Sequence, residues 1–176
     1  MIQLIIFNYF YTVIIYCIIY LFQIYRIQNP FLKKMFDEKK SELTKLYQSH
    51  HVPLQEKLLF HGTSTSVVKS ICEQNFDWRR SGESTGTIHG QGAYFALNSS
   101  YSHSYASAES DGTRLLFLAK VHVGLMCKGQ SSMRYPPAWK STIQYDTTVD
   151  DTVNPTIFVK YGIHEYYPAY LIQYSV

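Results

Sequence analysis

From Met1 to Ile24 the chain carries no charged side chain, and only Gln3, Asn8, Thr12 and Gln23 interrupt a run of Ile, Leu, Val, Phe and Tyr. A membrane-spanning helix, which needs about 20 residues, is one structure that suits it. Arg26, Lys33 and Lys34 follow at once and would hold what comes next on the cytosolic side, as a signal anchor does. A cleaved signal peptide fits less well, because no basic stretch precedes the run and no small-x-small site ends it. The second structure is a β-strand over residues 16–26, since Ile, Val, Tyr and Phe are strand formers. A third reading makes the run the cut start of a longer protein.

Beyond the run the pattern changes. Asn29-Pro30 predicts a helix start, with Asn as N-cap and Pro at the first helical position. Leu32, Phe36, Leu43, Leu46 and Tyr47 recur at spacings that place them on one buried face. Leu58-Leu59-Phe60 predicts a short buried strand that delivers His61 to its end. Ser64 or Thr65 then caps a second helix with Val67, Val68, Ile71 and Cys72 on its apolar side.

Residues 77–89 lack an apolar period and are rich in Arg, Ser, Gly and Thr, which predicts a loop. Arg114 to Gly124 is the clearest strand. Leu115, Phe117, Ala119, Val121 and Val123 alternate with Leu116, Leu118, Lys120 and His122, and apolar residues on both faces predict a central position. The polar stretch 128–154, with Gly129, Pro136-Pro137, Asp146, Asp150 and Asp151, is too long for a routine connection and is expected to be functional or mobile. Two closing strands follow near 156–161 and 169–174. Short strands, few helices and no βαβ rhythm predict an α+β fold with an antiparallel core.

At 176 residues the chain is expected to form one folded unit, residues 25–176, behind the apolar segment 1–24. The formal charge of +3 is small, and its cations are scattered, with no stripe to track a nucleic-acid backbone. Cys17, Cys72 and Cys127 are odd in number and far apart, so neither a disulfide framework nor a metal site is signalled, and a reducing, intracellular compartment is the expectation.

The candidate chemistry gathers in a few short blocks: His61-Gly62-Thr63, Gly90-Gln91-Gly92-Ala93-Tyr94-Phe95-Ala96, then Ser102 and Tyr105. Gly90-x-Gly92 is not a Rossmann fingerprint, because Phe95 stands where the third glycine belongs and no helix opens there. A bare backbone at Gly62 offers N–H and C=O to a carboxamide, Ser102 adds a hydroxyl, and Tyr94 and Tyr105 can flank a flat ring. Nicotinamide, still joined to its ribose, is the ligand these groups suit.

Together with Arg26 to Pro30, Asn75 to Arg79, Tyr145-Asp146, Val149-Asp150, Asn154 to Val159 and Tyr167 to Ile172, these blocks make the chain from about Tyr25 onward resemble the catalytic domain of the poly(ADP-ribose) polymerase family. Within it the resemblance is to the branch that transfers single ADP-ribose units. It implies an ADP-ribosyltransferase fold: two small, mostly antiparallel sheets around an NAD cleft, flanked by helices, with the 77–89 loop over the groove. NAD is then a co-substrate, no metal is needed, and the partners are acceptor proteins. His61 would hydrogen-bond a ribose hydroxyl, Gly62 would clamp the carboxamide, Tyr94 would line the nicotinamide pocket, Ser102 would bond the amide oxygen and Tyr105 would stack on the ring.

The departure is Ile157, which aligns where polymer-forming members carry a glutamate. A carboxylate there polarises a ribose hydroxyl and activates an acceptor sugar; an isoleucine does neither. The expected activity is therefore mono-ADP-ribosylation of protein side chains with release of nicotinamide, in the cytoplasm or nucleus, or tethered to a membrane through residues 1–24 with the catalytic domain facing the cytosol. Two other readings stand beside it: a catalytically silent module that binds NAD or ADP-ribose, and a membrane-tethered scaffold.

Overall fold

In the computed structural model, residues 2–5, 13, 14, 17, 18, 20–82, 87–140 and 143–176 are described. The elements run β1 (Ile2–Ile5), β2 (Val13–Ile14), β3 (Cys17–Ile18), β4 (Tyr20–Ile27), α1 (Pro30–Gln48), β5 (Gln55–Gly62), α2 (Val68–Gln74), β6 (Ala93–Ala96), α3 (Ser99–His103), β7 (Arg114–Val123), β8 (Met126–Lys128), β9 (Ala138–Lys140), β10 (Ile143–Gln144), β11 (Thr147–Val149), β12 (Ile157–Lys160) and β13 (Tyr166–Ser175).

The described part of the apolar run is strand. β1 pairs antiparallel with β4, and β4 pairs along β13 from Arg26↔Tyr170 to Tyr20↔Ser175. A helix spanning residues 1–24 is therefore not what the described residues form, and among them no helix is long and apolar enough to cross a membrane. β-branched and aromatic side chains suit a pleated surface, and β13 supplies the partner that the local pattern could not reveal.

Nine strands share one sheet in the order β1-β4-β13-β7-β5-β6-β12-β11-β8, and every pairing in it is antiparallel except β11 with β8. The two small sheets expected are thus hydrogen-bonded into one, with a seam. β5 meets β7 over eight residue pairs from Gln55↔Val123 to Gly62↔Leu116, but meets β6 only at Phe60↔Ala96. Past that pair the strands part, and the fork opens where β5 ends in His61 and Gly62.

β7 is central as its alternation predicts, between β13 and β5. Phe117, Ala119, Val121 and Val123 face the main core, joined by Leu59, Phe95, Phe158 and, from α2, Val68, Ile71 and Cys72. On the opposite face Phe36 of α1 stacks on His122 with centroids 3.8 Å apart, and Leu32 and Phe36 pack on Tyr167 and Ala169. Pro168 lies inside β13, where its missing N–H is accommodated by a bulge between Pro168 and Tyr170. The bulge shifts the side-chain alternation by one residue, so Tyr166 and Leu171 both reach the main core while Tyr167 and Tyr170 face α1.

Asn29 caps α1, its Oδ1 accepting from Leu32 N at 3.1 Å, with Pro30 at the first position. Its side-chain amide also donates to Cys72 O at 3.1 Å, tying the start of α1 to α2. Leu46, expected on the buried face, is 41 % exposed. Leu32, Phe36, Leu43 and Tyr47 form a stripe narrower than the pattern suggested, and Leu46 falls outside it. The long polar stretch carries the short strands β9, β10 and β11, and two of its carboxylates, Asp146 and Asp150, are engaged in hydrogen bonds.

Candidate functional site

His61 stands at the fork because β5 stays paired to β7 on one side, His61 with Phe117 and Gly62 with Leu116, and has no partner beyond Phe60 on the other. Its Nδ1 bridges the opening to Tyr94 O at 2.7 Å. A carbonyl only accepts, so Nδ1 carries the proton and Nε2 of the neutral ring is left as an acceptor. The imidazole packs edge-on to Phe76, centroids 4.8 Å apart, and against Phe95 at 5.6 Å. Burial among these rings lowers its pKa below the ordinary value, and the Tyr94 hydrogen bond opposes that only partly. The ring is therefore neutral at physiological pH.

Gly62 lies directly on α3. A Cβ built there would stand 1.8 Å from the Ser102 carbonyl oxygen and 3.2 Å from Tyr105 Cβ, so only glycine lets the two backbones approach. Ser102 is buried, and Tyr105 N donates to its carbonyl at 3.1 Å. The Tyr101 and Tyr105 rings tilt together at 5.3 Å, with their hydroxyls 3.2 Å apart. Sequence reasoning missed both α3 and Tyr101. The four-residue spacing from Tyr101 to Tyr105 is a helical signal that would have paired them.

Tyr94 is fixed at both ends. Its carbonyl holds His61; its hydroxyl donates to Gly90 O at 2.8 Å and accepts from His89 N at 2.9 Å. Burial, more than the neighbouring phenols, pushes its pKa up to about 12, so it is a neutral phenol. The turn that holds it is itself held: Thr148 donates to His89 O at 2.6 Å and lies 2.7 Å from the Tyr161 hydroxyl, and Gln91 N donates to Met133 O at 2.7 Å. Thr148 and Tyr161 are distant in sequence from Tyr94, and no local pattern marks them.

Ile157 begins β12 opposite Ala96, two residues past Tyr94 in β6. It is 4 % exposed and packs with Ala96, Val159, Tyr94 and Tyr101. Asp150 hydrogen-bonds its backbone: one carboxylate oxygen accepts from Thr156 N and Ile157 N, both at 2.9 Å, and the other from the Thr156 hydroxyl at 2.5 Å. Burial works to raise the Asp150 pKa, but these bonds hold it below the usual carboxylate value. Asp150 thus pins the start of β12, with both oxygens already engaged.

The six sequence-selected residues therefore form one connected group, His61 on Tyr94, Tyr94 beside Ile157, and Gly62 against Ser102 and Tyr105. The space a side chain at Gly62 would need is taken by the Ser102 carbonyl, so glycine brings the β5 backbone directly against α3, beside Ser102 and Tyr105. Among the described residues no three His, Cys, Asp or Glu side chains gather as metal ligands.

Residues 15–144 match the sequence profile of the poly(ADP-ribose) polymerase catalytic domain. The chain is 43 % identical over 155 residues to Protein mono-ADP-ribosyltransferase PARP12 of Mus musculus, an alignment covering 87 % of this chain and 21 % of that protein. It is 37 % identical over 174 residues to Protein mono-ADP-ribosyltransferase PARP11 of Mus musculus, covering 86 % of this chain and 51 % of the relative. Against Protein mono-ADP-ribosyltransferase PARP14 of Homo sapiens the identity is 31 % over 157 residues, 86 % of this chain and 8 % of the relative. The chain thus spans from half to less than a tenth of these relatives' length.

Proposed function

The chain belongs to the poly(ADP-ribose) polymerase catalytic-domain family, and from that premise we propose that it is an NAD-dependent protein mono-ADP-ribosyltransferase, releasing nicotinamide as it attaches single ADP-ribose units to protein side chains. The observation that carries the reading is the neutral His61 locked to Tyr94, beside Gly62 packed on Ser102 and Tyr105; the resemblance puts Ile157, which packs beside Tyr94, where an elongating enzyme needs a carboxylate.

In this reading the Gly62 backbone and Ser102 hold the carboxamide, Tyr94 and Tyr105 border the ring, and the His61 Nε2 accepts from a ribose hydroxyl. Positive charge develops on the ribose as the bond from C1′ to the pyridine nitrogen breaks, its electron pair leaving on nicotinamide. Holding the leaving group rigid while the sugar carbon moves is the contribution expected of such a site. An acceptor oxygen then bonds to C1′.

No residue at position 157 takes a proton from that acceptor, and both oxygens of Asp150 are engaged. The acceptor must arrive as its own nucleophile. Asp and Glu, ionised above about pH 4, meet this requirement where serine does not. A silent NAD-binding module is the second reading, favoured by the same absent carboxylate. The unpaired Cys72 and Cys127 suit a reducing, intracellular setting.

Incubation with labelled NAD separates these readings. Label should remain on protein with the wild type, fall at least a hundredfold with His61→Ala or Tyr94→Ala, and run as a single shifted species. Long ladders would overturn the role given to Ile157. NAD binding without any label would establish the silent module.

A further inference from the structure

A crevice of about 960 Å³ lies between the C-terminal turns of α1, the turn at Trp78–Arg80 and the chain around Arg134 to Tyr145. Its walls carry exposed apolar surface: Leu46 is 41 % exposed and Tyr135 69 % exposed, with the half-buried Trp78 beside them. Leu46 and Tyr135 belong to none of the core clusters and to no part of the candidate site.

The charges around it are unevenly satisfied. Asp146 and Glu165 line the crevice, but each lies 2.8 Å from the Nζ of the buried Lys160, which stands between them. Arg79 is held by Asp77 through two hydrogen bonds of 2.8 and 2.9 Å. Arg134 and Lys140 are left: both line the crevice, both are exposed, and among the described residues neither forms an ion pair. The Lys140 ammonium rests over the Trp139 ring at 4.1 Å, which directs its charge without neutralising it.

Position ties the crevice to the candidate site. Tyr161 lines it, just past the end of β12, and packs in the same cluster as Ile157 and Val159. Four residues of strand separate Tyr161 from Ile157, about 13 Å at roughly 3.3 Å per residue. The Tyr161 end of the crevice thus lies within about 13 Å of Ile157 along β12.

We propose that this crevice is the docking groove for the acceptor protein, and that it takes an extended acidic segment with an aromatic or aliphatic anchor. The anchor covers the Leu46, Trp78 and Tyr135 surface, carboxylates meet Arg134 and Lys140, and a neighbouring Asp or Glu reaches the site. The inference rests on the transferase reading and adds the class of acceptor sequence to it.

The test uses the full chain and a fluorescein-labelled heptapeptide of Glu and Asp around one Phe, beside the same peptide with Gln and Asn in place of the acids. Anisotropy should show saturable binding of the acidic peptide, at least tenfold weaker for the neutral one and for the double variant Arg134→Glu, Lys140→Glu. Nicotinamide release from NAD by that variant, without peptide, should match the wild type. Absence of binding, equal binding of the neutral peptide, or affinity unchanged by charge reversal would each overturn the groove. So would tighter binding of a single-stranded oligonucleotide through the same two cations, or a dimer in sedimentation that charge reversal dissolves. A wild type that binds the peptide but releases no nicotinamide fails the transferase reading; one that releases nicotinamide but binds no peptide fails the groove alone.

Discussion

Gly62 is the residue at which a single methyl group decides most. Its Cβ would stand 1.8 Å from a backbone oxygen, which cannot swing away as a flexible side chain can. Gly62→Ala must therefore push α3 outward, at about 1–3 kcal/mol for an overpacked site. Ser102 and Tyr105 move with it. Binding of a nicotinamide analogue, measured by calorimetry, is expected to weaken more than tenfold, while far-ultraviolet circular dichroism stays that of the wild type.

His61 makes a prediction in pH. Its folded pKa is depressed by burial, and that of His122, stacked under Phe36, is depressed for the same reason. Between each folded value and the unfolded one near 6.5, the unfolded chain binds the extra proton, so stability rises with pH through this window and is lost as pH falls below about 6.5. The melting temperature of the wild type should drop across that range. His61→Gln should flatten part of the slope, leaving the contributions of His122 and His103, whose pKa values are also depressed by burial; an unchanged slope would mean that the His61 ring is not enclosed as described.

At the scale of elements, β12 is held by charge as well as by pairing. Lys160 is fully buried between Asp146 and Glu165, and Asp146 also accepts from Tyr47 of α1 and from Thr147. Burial favours the protonated form of Asp146, but the ammonium beside it and these hydrogen bonds hold its pKa below the ordinary value. Removing the lysine leaves two buried carboxylates unbalanced, so Lys160→Ala should cost about 3–5 kcal/mol in urea unfolding. Asp146→Asn combined with Lys160→Met removes much of that imbalance and should recover stability relative to Lys160→Ala.

The elements also show where local pattern is sufficient. The α1 cap at Asn29 and the alternation of β7 were legible, because each depends on neighbours within a few positions; Ser64, expected to cap α2, instead caps a 3-10 turn at Thr65–Val67, and α2 follows Val67 with no side-chain cap. The face of Leu46, the short helix α3 and the bulge in β13 were not legible. The first depends on the width of the surface α1 meets, the second on contact with Gly62, and the third on accommodating Pro168 against Ala119, whose strand lies almost fifty residues earlier.

For the whole molecule the seam between β5 and β6 is the defining feature. One strand pair, Phe60↔Ala96, joins a five-stranded half containing β7 to a four-stranded half containing β12. Local opening free energy follows how many paired and packed neighbours a segment has. Amide hydrogen exchange should therefore be slowest in β7 and β13 and faster in β6, β12 and β11. A nicotinamide analogue bridging Gly62 and the Tyr94 turn should slow the second group selectively; uniform protection of both halves would argue against a ligand at the fork.

The sequence by itself determined the chemical inventory and its family: a histidine and glycine at the end of a strand, tyrosines at set spacings, an isoleucine in place of a carboxylate, and apolar periods that fix the main helix and the central strand. Those depend on residue type and on neighbours within a turn or two. Only the tertiary structure decided that the apolar N-terminal stretch supplies strands to the sheet, that His61 reaches across a fork to Tyr94, that Asp150 is consumed in pinning β12, and that Arg134 and Lys140 stand unpaired over an apolar crevice. Apart from the bonds of Asp150 to Thr156 and Ile157, which are six and seven residues apart but form only once β12 is in place, these require segments thirty or more residues apart to meet, and such meetings are set by the packing of the whole chain, which no short window of sequence contains.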